Sequence, residues 1–136
     1  MKKLFLGILM ASTLMACNQN AKGKKDIQYT SDGADIRYTA LTFDFGKIKE
    51  GQSVTHNFKF TNMGKSPLII TNATASCGCT TPVWPKNPVL PGDTGSVAVT
   101  FNSAGKSGLQ DKQIKVISNS QPAESMVHLI GEVLTK

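Results

Sequence analysis

Residues 53–61 alternate without a break: Val54, His56, Phe58 and Phe60 fall on one side of an extended chain, and Thr55, Asn57, Lys59 and Thr61 on the other. A side-chain period of two is the strand period, so this stretch reads as a strand with one buried face. The pattern recurs. Thr42-Phe43-Asp44-Phe45 alternates before Gly46, and Glu50-Gly51 makes a turn. Pro67 opens an apolar run over residues 68–75, and Val97, Val99 and Phe101 share one side of residues 96–101. Ile114 and Val116 are in phase within residues 113–118, and residues 126–134 form a last strand. Turn residues separate these runs: Asn62-Met63-Gly64-Lys65, Pro91-Gly92-Asp93, Gly105 and Gly108, and Asn119-Ser120-Gln121-Pro122. No stretch shows helical spacing. Short strands at this spacing predict an all-β, immunoglobulin-like antiparallel β-sandwich of about seven strands, over residues 41–136.

The N-terminus is of another kind. Met1-Lys2-Lys3 is followed by Leu4-Phe5-Leu6-Gly7-Ile8-Leu9-Met10-Ala11, an apolar run too short for a permanent membrane span and suited to a secretion signal. It ends in Leu14-Met15-Ala16-Cys17, which resembles the bacterial lipobox. The resemblance implies cleavage after Ala16, a thioether lipid on Cys17 and acylation of the new amino terminus. Residues 1–16 are then a lipoprotein signal peptide, and residues 17–40, polar apart from Ile27, Tyr29, Ile36 and Tyr38, a lipidated flexible tether. Those four apolar residues form either a short leading strand or a packed loop. Several acyl chains on one cysteine anchor a protein stably where a single chain does not.

Charge narrows the partners. The chain carries 15 basic and 9 acidic side chains, and loss of Lys2 and Lys3 with the leader leaves 13 against 9. Lys22, Lys24 and Lys25 form a basic tether suited to an acidic lipid surface. No stripe of Lys and Arg interleaved with aromatics suggests nucleic-acid binding.

The stretch around Ser76-Cys77-Gly78-Cys79-Thr80 stands apart from the strands, since it holds two of the three cysteines and, at Trp84, the only tryptophan. Cysteines two apart cannot make the inter-sheet disulfide of antibody domains. On an extended strand their Cα atoms lie about 6.6–6.8 Å apart, at the far limit for a bridge, about 4.4–6.8 Å. Gly78 is then expected to take positive φ and draw the thiols together. Three states stay open: a strained or exchanging disulfide, a thiolate pair for Cu(I), and an inert staple. No Lys, Arg or His lies within five residues to lower a thiol pKa, which counts against a nucleophile. Zinc would need His56 and His128 as further ligands, and their spacing matches no zinc pattern, so no metal site is assigned. His56, in phase with Phe58 and Phe60, reads as a packed strand histidine. Trp84, between Pro82 and Pro85, reads as a lid on one end of the sandwich or as a partner contact.

Phe45-Gly46, Glu50-Gly51, Phe58-x-Phe60-x-Asn62-x-Gly64, Pro67-Leu68-x-Ile70, Ser76-Cys77-Gly78-Cys79-Thr80, Pro91-Gly92, Val99-x-Phe101, Ser118-Asn119 and Leu129-x-Gly131 together resemble the bacterial family called domain of unknown function 1573. That family is similar to the Hydin and major-sperm-protein-like branch of immunoglobulin folds. The resemblance covers residues 41–134 and implies a fold and an extracytoplasmic setting, with no activity to carry over.

The catalytic inventory is thin. Two histidines on separate strands make no Ser/His/Asp set, no paired carboxylates recur, and no glycine-rich loop joins a strand to a helix. The expected function is therefore a non-enzymatic binding or structural module of the cell envelope, tethered by lipid. Its partner would be an envelope protein or a glycan, taken at a sheet edge or at the loop from Cys77 to Pro85. The alternative is a thiol-disulfide or Cu(I)-handling protein using Cys77 and Cys79.

Overall fold

The computed structural model describes residues 32–135. Cys17, the leader and most of the tether lie outside them. The described residues contain eight strands and no helix: β1 (Ile36–Tyr38), β2 (Thr42–Lys49), β3 (Ser53–Asn62), β4 (Ile70–Ala75), β5 (Thr80–Val83), β6 (Thr94–Asn102), β7 (Gly108–Ser118) and β8 (Glu124–Leu134). They form two four-stranded sheets, ordered β1-β3-β6-β5 and β2-β8-β7-β4.

The immunoglobulin-like sandwich is the fold the alternation predicts, with three differences. Two strands are short and break the pattern. β1 is the short leading strand that Ile36 and Tyr38 left open within the stretch assigned to the tether, and Ala34 and Asp35 just before it are buried. Tyr38 sets its ring edge-on to Phe60, centroids 5.9 Å apart, and its hydroxyl lies 3.3 Å from Ser125 Oγ of the other sheet. The folded domain thus begins several residues before Leu41. β5 lies inside the excursion after Cys77 and is a strand because it pairs with β6. Its four residues carry too little alternation to signal this. The third difference is direction: β2 pairs with β8 in parallel, with a register shift between Asp44 and Lys47. Periodicity reports which face is buried and is silent on the direction of a neighbour.

The core is where alternation placed it. Phe58 and Phe60 of β3 and Val97, Val99 and Phe101 of β6 face Ile114 and Val116 of β7 and Val127, Leu129 and Val133 of β8, all at most 2 % exposed. Burying each such side chain contributes about 1.5–3 kcal/mol.

One buried polar residue ties the turns to this core. Asn62, fully buried at the end of β3, accepts from the backbone N–H groups of Asp35 and Gly64 through Oδ1, at 3.2 and 3.0 Å. Its Nδ2 donates to the carbonyls of Ser66 and Val89, at 2.8 and 3.0 Å. Both donors and both acceptor positions of the amide are used. Gly64 leaves the room this needs, since a Cβ there would strike the Gly33 carbonyl and the backbone of Ala34 and Asp35.

Candidate functional site

The Cys-Gly-Cys segment carries the chain from β4 in one sheet to β5 in the other. Cys77 and Cys79 are joined as a disulfide with Cα atoms 5.3 Å apart. The shortening from extended spacing comes from a reverse turn, in which the Thr80 N–H donates to the Cys77 carbonyl at 3.3 Å. Gly78 does not take the positive φ expected of it. The positive-φ glycines are Gly46, Gly51, Gly92, Gly105 and Gly108, and a Cβ on Gly78 would meet nothing within 4 Å. The turn closes with ordinary backbone angles, so the expected demand on glycine does not arise.

The buried Thr80 sits beneath the bridge, its Oγ1 3.7 Å from Cys77 Sγ and 3.8 Å from Cys79 Sγ. The Asn102 N–H donates to the Cys79 carbonyl at 2.9 Å. In antiparallel pairing this bond fixes which backbone groups face the neighbour. Thr81 and Val83 turn theirs toward β6, and Thr80 and Pro82 turn theirs outward. The outward N–H of Thr80 is held by Cys77, and Pro82 has none. The disulfide-closed turn and the proline together leave the β5 edge without a free donor.

Both sulfurs are bonded to one another, so neither is present as the thiolate that Cu(I) ligation requires. Among the described residues no group of three or more His, Cys, Asp or Glu side chains is placed to hold a metal. The two histidines have separate surroundings. The His56 ring stacks on Phe43 at 3.8 Å between centroids and meets Phe58 edge-on at 4.7 Å. Burial there holds its pKa below the ordinary value by disfavouring the cation. His128 Nδ1 lies 3.0 Å from Asp111 Oδ1.

Trp84 is half-buried and packs against the core. Lys86 Nζ lies 3.3 Å from its ring centroid, a cation–π contact that fixes the indole from the solvent side. Beside the turn is a groove of about 470 Å³ whose lining includes Ser53, Cys79, Thr81, Thr100 and Asn102. Its polar lining carries no charge. The closed β5 edge and the Asn62 network were not foreseen from sequence. The signals were there, in the missing N–H of Pro82 and in Asn62-x-Gly64; Pro82 was read as a neighbour of Trp84, and Asn62 as a turn residue and part of the family pattern.

Two sheets in this order, with a parallel first strand in the second sheet and only strands among the described residues, make an immunoglobulin-like β-sandwich. Residues 36–133 match the family described as protein of unknown function (DUF1573), and the chain belongs to that family. No curated protein matches. Among solved structures, a protein of unknown function from Porphyromonas gingivalis W83 is similar over 74 % of this chain and 47 % of its own length, at 17 % identity and a TM-score of 0.65. The chain therefore spans about half of that protein. The ASH/PapD-like domain of human CEP192 is similar over 98 % of this chain and 99 % of its own, at 10 % identity and a TM-score of 0.60. The YadV chaperone is similar over 73 % and 52 %, at 14 % identity and a TM-score of 0.51. At these identities the likeness is one of fold.

Proposed function

We propose that this chain is a lipid-anchored, extracytoplasmic binding module of the cell envelope, without catalytic activity. Cys17 would carry the lipid, and the sandwich would take an envelope protein or a glycan from the end of a tether. One observation carries the reading: the two cysteines and His56, the groups singled out as able to do chemistry, are engaged in packing and cross-linking the domain. Cys77 and Cys79 hold each other, and His56 lies against two phenylalanine rings. What the domain offers a partner is sheet surface and sheet edge, which is what a binding sandwich uses.

The test is expression of the full chain and of Cys17→Ala in a bacterial host, followed by fractionation and mass analysis of the N-terminal peptide. The full chain should sediment with membranes and leave them only in detergent, with acyl mass on Cys17; the variant should lose both. A wild-type chain without acyl mass at Cys17, fractionating like the variant, refutes the anchored reading.

A further inference from the structure

We propose that the Cys77–Cys79 bridge is where this domain takes hold of its partner. A cysteine thiol on an extended segment of another protein, seated in the groove beside the Cys-Gly-Cys turn, exchanges into the bridge and is held as a mixed disulfide. This deepens the reading of the domain as a binding module, since the exchange is stoichiometric capture and not turnover, and it is independent of the anchor.

The first support is access. Cys77 and Cys79 are only partly buried, and Gly78 between them is exposed. Exposed bridges are the ones that exchange. Gly78 and Cys79 also line the groove of about 470 Å³ that Ser53, Thr81, Thr100 and Asn102 complete. That volume falls within the range of ligand sites, about 300–1,000 Å³, so there is room for the residues that flank a thiol. The hydroxyl and amide groups of the lining both donate and accept, which suits the backbone on either side of a cysteine. A small thiol would leave them to water.

The second is an idle donor. Thr80 is buried, and its Oγ1 has only the two sulfurs within hydrogen-bond reach among the described residues, at 3.7 and 3.8 Å. Neutral sulfur is a weak acceptor. A thiolate in the same place accepts a charge-assisted bond, the stronger kind. The third is a cation. The β4–β7 pairing ends with the Ser76 N–H on the Gln113 carbonyl, and the next residues along the two chains are Cys77 and Lys112. Lys112 turns inward, its Nζ 5.2 Å from the ring centroid of Phe101 on the opposite sheet, and Phe101 is the register partner of Thr80. Burial first, and then the charge of Lys106, hold the Lys112 pKa below its ordinary value, with Asp111 acting the other way. The sequence places no base within five residues of either cysteine; the fold supplies one from β7.

These parts fit one reaction. The partner's thiolate attacks Cys79 Sγ from the groove. A bond forms between the two sulfurs as the Cys77–Cys79 bond breaks, and the electron pair of the broken bond leaves on Cys77 Sγ. Thr80 donates to that thiolate and Lys112 offsets its charge. Exchange is faster the lower the pKa of the leaving thiol, and a neighbouring cation or donor lowers it. Nothing beyond the partner's thiol is consumed, and attack by the Cys77 thiolate on the mixed disulfide closes the bridge again and frees the partner.

The probes are a pentapeptide Ser-Thr-Cys-Thr-Ser, blocked at both ends, and 2-mercaptoethanol, each added in excess to the full chain in detergent. Thiols released over time are trapped with N-ethylmaleimide and located by peptide mass. The pentapeptide should appear on Cys79 with maleimide on Cys77, and should react faster than 2-mercaptoethanol at equal thiolate concentration. Lys112→Gln and Thr80→Val should each slow opening about tenfold, and Lys112→Arg should keep the wild-type rate. All four proteins should react alike once unfolded in urea, which separates an effect on the leaving thiolate from one on the thiol itself. Lys112→Gln, at a half-buried position, carries the test if Thr80→Val fails to fold. Equal rates for folded wild type and Lys112→Gln overturn the proposal, as does a wild-type bridge that opens more slowly folded than in urea. An adduct chiefly on Cys77 overturns the assignment of the leaving sulfur, and equal rates with the two thiols overturn the peptide partner. An inert bridge leaves the binding module standing, and absence of lipid on Cys17 refutes the anchored reading and leaves the exchange result standing.

Discussion

The ring of Phe45 on β2 occupies the space that a side chain on Gly131 of β8 would need. Phe45 also packs on Phe101 across the sandwich, centroids 5.6 Å apart, so the ring has little freedom to retreat. Gly131→Ala should destabilise the domain by about 1–3 kcal/mol through overpacking. Gly78→Ala, in the Cys-Gly-Cys turn, should change stability by no more than about 0.5 kcal/mol, because a Cβ there meets open space and φ is not positive. Urea unfolding of the two variants checks the pair. Equal losses would show that the turn does require its glycine.

Asn62 gives the second expectation. Asn62→Ala strands the N–H groups of Asp35 and Gly64 and the carbonyls of Ser66 and Val89, all of which meet at the buried amide. A loss of about 3 kcal/mol in thermal or urea unfolding follows. Asn62→Asp should fare little better, since a carboxylate accepts from the two N–H groups and cannot donate to the two carbonyls. Near-wild-type stability of the alanine variant would mean that water replaces the side chain at no cost.

The disulfide closes a very short loop, and constraint of the unfolded chain by such a loop amounts to about 1.5 kcal/mol. Cys77→Ser/Cys79→Ser should therefore remain an all-β protein by circular dichroism, destabilised by about 1–2 kcal/mol. In the unfolded wild type, thiol titration should find both cysteines unreactive until a reductant is added. Two reactive thiols before reduction would contradict the bridge.

How much of this was readable beforehand depends on whether one strand's own residues carried the signal. β3 and β6 were legible because each has a fully buried face opposite a solvated one, and Phe58, Phe60, Val97, Val99 and Phe101 mark it directly. β5 was not, because Thr80-Thr81-Pro82-Val83 owes its strand character to β6, and a proline inside so short a run argues against a strand until its N is seen to face an edge. β1 depends in the same way on β3. His56 was legible as a packed strand residue, though its ring partner Phe43 comes from the other sheet. At the Cys pair the sequence left disulfide, metal pair and staple open, because the outcome turns on a backbone turn and on oxidation, and residue types encode neither.

His56 yields a pH dependence whose sign can be worked out. Its folded pKa lies below the unfolded value, near 6.5, because burial against Phe43 and Phe58 disfavours the imidazolium. Above that value both states hold the ring neutral and His56 makes stability independent of pH. As pH falls below about 6.5 the unfolded chain binds the proton first, so stability declines until the folded-state pKa is passed and then levels off. Carboxylates add their own acid dependence at lower pH, so the informative quantity is a difference between proteins. His56→Phe keeps an aromatic ring in the stack and removes the proton site. The wild type should lose melting temperature between pH 7 and pH 5 more steeply than this variant, and the two slopes should coincide above pH 7. Equal slopes throughout the range would place His56 in water in the folded protein, which its stacking distance of 3.8 Å to Phe43 opposes.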